Sequence, residues 1–210
     1  MEITWYGLSC FRLTERGKAS IVTDPYGTGF GLPKRKLRAD VVSISHDAKG
    51  HNNLEAVRGS PHLIDSPGEY EIGGVFITGV AMGDRDESGR RNVFYLFDYD
   101  GVTIAHLGDL NEVPSQSDVE DLAAVDVALV PVGGGEALTP AQAAEVISLI
   151  EPSIVVPMHF KTKGLKMDLG EVGPFLSEMG ISDAEPEESL KVTKSSLSDE
   201  TQVVVLRMAE

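Results

Sequence analysis

The sequence predicts an α/β protein built as a sandwich of β-sheets covered by helices, and three observations carry that prediction. Short segments rich in β-branched and aromatic residues crowd the N-terminal half, and alternating β and α patterns follow. Three apolar runs also end in histidine or aspartate: Val41 to Ser45 before His46, Val102 to His106 before Asp109, and Ile154 to Pro157 before His159. Polar groups at the carboxyl ends of buried strands are where an α/β protein places its chemistry.

In chain order, strands are expected at Ile3 to Tyr6, Cys10 to Thr14 and Ser20 to Asp24, separated by glycine or charged turns. Residues 25 to 38 hold Gly27, Gly29 and Gly31 between Pro25 and Pro33, and read as a loop. After the strand at Val41 to Ser45, Asn53 to Arg58 has the makings of one short helix before a strand at His62 to Ile64. Further strands are expected at Val75 to Val80, Asn92 to Tyr99 and Val102 to His106, with Asp100-Gly101 closing a tight hairpin. Ser117 to Ala123 reads as helix and Val127 to Val132 as buried strand. Thr139-Pro140 then caps a helix reaching Ile150. A strand at Ser153 to Pro157, a helix at Glu171 to Met179 stopped by Gly180, and a closing strand at Gln202 to Met208 complete the pattern. Residues 182 to 200 are acidic and serine-rich and read as a surface excursion.

A chain of 210 residues, 41% hydrophobic and 24% charged, suits one soluble domain spanning residues 1 to 210. No apolar run reaches the roughly 20 residues that a membrane span needs. The opening lacks a basic start followed by an apolar stretch, so a cytoplasmic location is expected. A net charge of −15 argues against nucleic acid as partner, because phosphate binding is driven by Lys and Arg. The basic cluster Lys34-Arg35-Lys36 with Arg38 reads either as a solvated loop or as a device that steers a small anionic substrate. The single cysteine, Cys10, lies in a strand-like segment and reads as a small buried thiol.

His46, His51, Asp109 and His159 are the candidate metal ligands, because neutral imidazoles and carboxylates at anchored strand ends suit a divalent ion. His106 reads as a supporting or packing group, and His62, after Pro61, as a surface residue.

Beyond these patterns, Trp5-Tyr6-Gly7-Leu8-Ser9-Cys10-Phe11, Thr23-Asp24-Pro25 and Ala105-His106-Leu107-Gly108-Asp109 resemble three motifs of the metallo-β-lactamase superfamily. They are most similar to its bacterial branch of metal-dependent hydrolases, akin to L-ascorbate-6-phosphate lactonase. The resemblance implies a four-layer αββα sandwich with metal at the rim between two sheets. It also implies a central loop His-x-His-x-Asp-His. His46 and His51 match its first and last positions, whereas Ala48 and Gly50 stand where a histidine and an aspartate belong. Leu8 replaces an opening histidine, and Gly83-Asp84 follows where another histidine is usual. By the same resemblance, His46 belongs to a first metal site, His51 and His159 to a second, and Asp109 bridges them.

The expectation is therefore a reduced site holding at most one ion, zinc, with manganese or iron as alternatives. Metal-activated water would attack an ester, lactone or phosphoester-type bond of a small and anionic substrate. With Gly50 unable to orient that water, Asp47 and Asp84 are the candidate catalytic carboxylates, although Asp47 has a rival role as cap of the following helix. Asp24 reads as a support for the loop, and Gly50 as a site for positive φ. The alternative to an enzyme is a catalytically inactive binding or scaffold module with the same cleft, and a homo-oligomer is compatible with either.

Overall fold

A computed structural model describes residues 1–85, 91–120 and 124–210; the side chains of Asp84, Arg85, Ser117 and Glu120 lie outside the described residues. The N-terminal half supplies β1 (Glu2–Gly7), β2 (Cys10–Thr14), β3 (Ile21–Thr23), β4 (Leu37–Arg38), β5 (Val41–Ser43), β6 (Val57–Arg58) and β7 (His62–Ile64). It continues with β8 (Gly68–Ile72), β9 (Val75–Arg85), β10 (Arg91–Asp98) and β11 (Thr103–His106). Then α1 (Gln116–Glu120), β12 (Val127–Pro131), α2 (Pro140–Ile150), β13 (Ile154–Met158) and α3 (Gly173–Glu178) alternate, before β14 (Leu190–Lys191) and β15 (Gln202–Val203).

Two mixed sheets share one plan. The first runs β14-β1-β2-β3-β5-β7, antiparallel up to β3 and parallel from β3 through β7. The second runs β15-β13-β12-β11-β10-β9-β8, antiparallel from β8 to β11 and parallel beyond. The parallel strands β3, β5, β11 and β13 therefore raise their carboxyl ends at one rim.

Alternation along the strands explains the layering. Ile21, Val41 and Phe11 point into the core shared with Phe94, Phe97 and Ile104 of the second sheet, while Val22, Val42 and Cys10 point outward into a second cluster. A strand buried on both faces reads as a near-continuous apolar run, as Val41 to Ile44 does but for the buried Ser43. On the second sheet the outer layer is helical: α2 buries Ala143, Val146 and Ile147, and α3 buries Phe175 and Leu176. On the first sheet the outer cover is loop, with Tyr26, Phe30, Leu32, Leu165 and Met167 lying over Val22 and Val42. Thr139 and Gln142 form a capping box at the start of α2, with Pro140 in its first turn. Such a cap stabilises a helix by about 1 kcal/mol.

Several local expectations are corrected. Asn53 to Arg58 is not a helix but a 3-10 turn at Leu54–Ala56 followed by β6, because Val57 extends to pair in parallel with Leu37. β9 runs on past Val80 to Arg85, and β8 was not foreseen, since its residues are mostly exposed and lack an apolar alternation. The closing strand is short: Leu206 leaves the sheet to bridge Glu187. The helix expected at Ser117 to Ala123 is α1, and its last three residues lie outside the described residues. The Asp100-Gly101 hairpin forms as expected, with both residues at positive φ (53° and 87°), the two-residue turn whose twist matches its strands.

The basic cluster also resolves into unlike parts. Lys34, Lys36 and Arg38 are exposed, but Arg35 is buried. Its guanidinium lies over the Tyr6 ring and donates to the Tyr26 hydroxyl (2.9 Å) and to the carbonyls of Tyr6 (3.3 Å) and Ala209 (2.7 Å). Arg35 therefore ties loop 25 to 38 to β1 and to the C-terminal segment, and takes no part in steering. Among the described residues, no helix is long and apolar enough to cross a membrane.

Candidate metal centre

Each sheet contributes its strand ends to one rim. Asp24 follows β3, His46 and His51 follow β5, Asp109 follows β11 and His159 follows β13. Asp24 is 1% exposed, and its carboxylate accepts from the Ser45 amide (2.7 Å), the Ser45 hydroxyl (2.6 Å) and His51 Nδ1 (2.9 Å). It thus fixes the loop and the ring together, as a carboxylate behind a metal-ligating histidine does.

Those bonds set the orientation of both loop histidines. The Ser45 hydroxyl has one proton and gives it to Asp24, so the 3.0 Å contact with His46 Nδ1 is donated by the ring. His46 Nε2 is left facing Asp109 Oδ2 at 3.8 Å. His51 Nδ1 is committed to Asp24, which leaves Nε2 at 3.0 Å from Asp109 Oδ2. Ligand atoms of His46, His51 and Asp109 lie within 4.8 Å of one another.

His159 completes the ring of donors from the other sheet. Its Nδ1 stands 2.7 Å from Asp109 Oδ1, but the two are not aligned as a hydrogen bond. Both nitrogens of His159 and Asp109 Oδ1 are buried without a hydrogen-bond partner among the described residues. A buried polar atom left unsatisfied costs about 1–3 kcal/mol, so a site holding three of them side by side is built to receive something. Imidazole nitrogens and one carboxylate are the donor set of zinc, manganese or iron, so the residues present fit a divalent ion.

The protons of the metal-free chain follow the same geometry. Burial alone would depress His51, but the carboxylates of Asp109 and Asp24 on either side raise it to about 10. Burial would likewise lift Asp109, yet the charges of His51 and His159 hold it well below the usual carboxylate range. Burial lowers His46, and the His51 charge lowers it further. The protonated His51 ring therefore bridges the two aspartates, Nδ1–H to Asp24 and Nε2–H to Asp109, and metal uptake at Nε2 has to release the proton there.

Backbone devices hold the donors. Gly108 has φ 58°, and a Cβ there would meet Asn92 Oδ1 at 2.2 Å and Ser45 Cβ at 2.5 Å. The Asp109 turn can approach the His46 loop this closely only with glycine. Asn92 grips the turn from β10, its amide donating to Leu107 O (2.8 Å) and its oxygen accepting from Asp109 N (3.0 Å). Sequence reasoning missed Asn92, although a lone amide opening the apolar run Val93 to Phe97 was a signal. Leu8, at φ 49°, offers its carbonyl to His159 N (3.2 Å) and to the Trp5 indole (2.8 Å).

The remaining candidates lie as follows. Asp47 is exposed and accepts a short hydrogen bond from the Asn52 side chain. It does not cap the turn at Leu54–Ala56, whose N-cap is Asn53. Asp84 belongs to β9 by its backbone, and its side chain lies outside the described residues. His106 is buried and bonds Ser9 O (2.8 Å), and His62 is exposed. Gly50 is not among the residues at positive φ, and a Cβ there would make ordinary contacts with Phe30 and Leu8 at 3.8 and 3.9 Å. Cys10 is buried and its thiol pKa is pushed far up by that burial, so it carries no thiolate chemistry. A cleft of about 310 Å³ opens beside the cluster, lined by Ile44, Ser45, His46, Asp47, Asn52, Asp65, Arg91 and Val93.

The family model of the β-lactamase superfamily domain matches residues 2–159 of this chain, which include all four donors. A UPF0173 metal-dependent hydrolase of Thermococcus kodakarensis is 32% identical over 193 residues, covering 77% of this chain and 85% of the relative. The chain belongs to the metallo-β-lactamase superfamily, in its UPF0173 metal-dependent hydrolase family. The UPF0173 protein of Pyrococcus abyssi is 28% identical over 187 residues, 78% of this chain and 85% of its own. Among solved structures, a candidate zinc-dependent hydrolase of the superfamily from Thermotoga maritima superposes with a TM-score of 0.81 and 38% identity, covering 98% of this chain and 97% of that one. A metallo hydrolase of Ignicoccus hospitalis shares the fold at TM-score 0.70 and 20% identity, covering 91% of this chain and 99% of that one. The αββα arrangement expected from sequence is thus the metallo-β-lactamase fold, with two mixed sheets.

Proposed function

We propose that this UPF0173 chain hydrolyses an ester, lactone or phosphoester-type bond of a small molecule, using one divalent ion held by His46, His51, Asp109 and His159. The observation that carries it is that His46, His51 and Asp109 bring ligand atoms within 4.8 Å of one another and His159 Nδ1 stands 2.7 Å from Asp109, with the buried nitrogens of His159 and Asp109 Oδ1 lacking a hydrogen-bond partner among the described residues. Zinc is the ion of choice, with manganese and iron as alternatives for the same donor set. A divalent ion there supplies Lewis acidity and makes water a nucleophile near neutral pH. The chain does the rest: Asp24 fixes the His51 ring, Ser45 fixes His46, and Asn92 with Gly108 sets the Asp109 carboxylate. Asp47, on the lip of the cleft, is our acceptor for the proton of the attacking water, and Asp84 is the second carboxylate we assign to that end.

One observation favours the rival role of an inactive binding module. Ala48 and Gly50 occupy positions where the family pattern places a histidine and an aspartate, and Gly50 packs near Leu8 and Phe30 rather than any acceptor. Metal analysis of the chain purified without chelator, followed by assay against ester, lactone and phosphodiester panels, separates the two. About one ion per chain and chelator-sensitive turnover are expected; a metal-replete chain that turns over none of the panel would favour the binding module.

A further inference from the structure

We propose that Arg91 anchors an anionic group of the small substrate in the cleft beside His46, which rests on the hydrolase reading and names its substrate class. β10 begins at Arg91, and its register against β9 shifts between Arg91 and Asn92. The extra residues of this bulge lie on β9, since Arg91 pairs with Arg85 and Asn92 with Met82, so β10 itself keeps its alternation while β9 bends away from its start. Two consecutive residues of β10 therefore face opposite ways at the rim. Asn92 turns inward to hold Leu107 and Asp109, and Arg91 lines the cleft. The residue after Asn92 ties this start of β10 to the metal loop, as Val93 N donates to Ser45 O (2.8 Å), directly before His46.

Arg91 is exposed, and although its charge helps, after the Ser115 hydrogen bonds, to lower the Asp118 carboxyl, no hydrogen bond or ion pair among the described residues holds its guanidinium. The carboxylates that share its cleft are already engaged: Asp47 accepts from Asn52, and Asp65 from the Ser66 hydroxyl (3.1 Å). A guanidinium left with open donors is suited to bidentate capture of a carboxylate or phosphate. The cleft volume of about 310 Å³ lies at the small end of ligand sites, so the molecule it takes is small. Arg91 and His46 line the same cleft, so a divalent ion on His46 would add a second positive centre to the guanidinium and favour an anion. Among the described residues Arg91 is the one lysine or arginine lining this cleft, beside the carboxylates of Asp47 and Asp65, and Lys34 and Lys36 do not line it.

The test titrates phenylphosphonate and, in parallel, benzoate into the zinc-loaded full chain by calorimetry, for wild type, Arg91→Gln and Arg91→Lys. Arg91→Gln should raise the Kd of the better-bound anion at least tenfold, with Arg91→Lys intermediate because it keeps charge but loses the fork. Tighter phenylphosphonate assigns a phosphate-like group, and tighter benzoate a carboxylate. A Kd within twofold of wild type in Arg91→Gln, or no binding of either probe to wild type, overturns the proposal. In parallel, the preference for mono-p-nitrophenyl succinate over p-nitrophenyl acetate should fall about tenfold in Arg91→Gln. A wild type that binds anions through Arg91 yet cleaves no ester would overturn the hydrolase reading and leave the anion anchor supported.

Discussion

The two ends of the first sheet are made from the same three parallel strands and behave oppositely. At the amino ends of β3, β5 and β7, polar groups satisfy one another: Lys18 pairs with Asp100 (2.8 Å) and Gly74 O (3.0 Å), and Asp40 accepts from the Ser20 amide (2.8 Å) and hydroxyl (2.7 Å). At the rim over their carboxyl ends, where the second sheet brings in His159 and Asp109, the His159 ring nitrogens and Asp109 Oδ1 stay buried without hydrogen bonds among the described residues. Backbone strain divides the same way. Asp100 and Glu151 take positive φ as a hairpin turn and a helix C-cap, which are local solutions. Leu8, Asp24 and His159 take it at the rim, held by tertiary contacts, at about 1–3 kcal/mol each. The difference teaches that the rim is an unfinished polar cluster maintained by the finished structure around it, whereas the opposite end is merely closed.

The largest expected effect is at Gly108. Gly108→Ala drives a Cβ into Asn92 and Ser45 at positive φ and should destabilise the chain by roughly 2–4 kcal/mol. Gly17→Ala, near the opposite end, has nothing within 4 Å and should cost about 1 kcal/mol from its φ alone. Urea unfolding of the pair checks this, and equal losses would show that the rim is no tighter than the far end.

Next in size is Asp24. Asp24→Asn should weaken zinc binding about 10–100-fold by freeing the His51 ring, whereas Asp40→Asn should leave it unchanged. Competition against a chromogenic chelator measures both, and matched affinities would remove the orienting role.

A smaller effect appears in pH. Because the folded pKa of His51 is raised to about 10, its contribution is full below the ordinary value of about 6.5 and is lost as pH climbs toward 10. Asp24 and Asp109 are depressed, so theirs is present above about 3.9 and is lost as pH falls. The chelator-treated chain should thus be most stable in mildly acidic solution and weaken above neutrality, as urea midpoints across pH 4 to 10 would show. A flat profile up to pH 10 would mean that no proton bridges Asp24 and Asp109.

How much of this was legible in the sequence follows from the range of the forces involved. Strands buried on both faces announced themselves as apolar runs, and Asp100-Gly101 and Thr139-Pro140 carry local chemistry that needs no tertiary partner. β8 and β6 are different: their residues are strands only because β9 and β4 pair with them. That His46, His51, Asp109 and His159 meet at one rim was legible because each follows such a run. Arg35, Asn92 and Arg91 were not, since a buried cation, a gripping amide and a bulge are defined by what surrounds them rather than by their own stretch of chain. The smallest predicted effect comes from this same limit. Gly50 invited a positive φ on sequence grounds, but with ordinary backbone and open contacts Gly50→Ala should change stability by less than about 1 kcal/mol.

The most direct test of the unfinished rim is zinc stoichiometry, measured by elemental analysis after dialysis against metal-buffered solution, for wild type and for His159→Ala. His159 comes from the far sheet and its ring has no hydrogen-bond partner among the described residues, so wild type should hold about one ion per chain and the variant close to none, with the fold retained by circular dichroism. Zinc absent from wild type, or undiminished in His159→Ala, would contradict it.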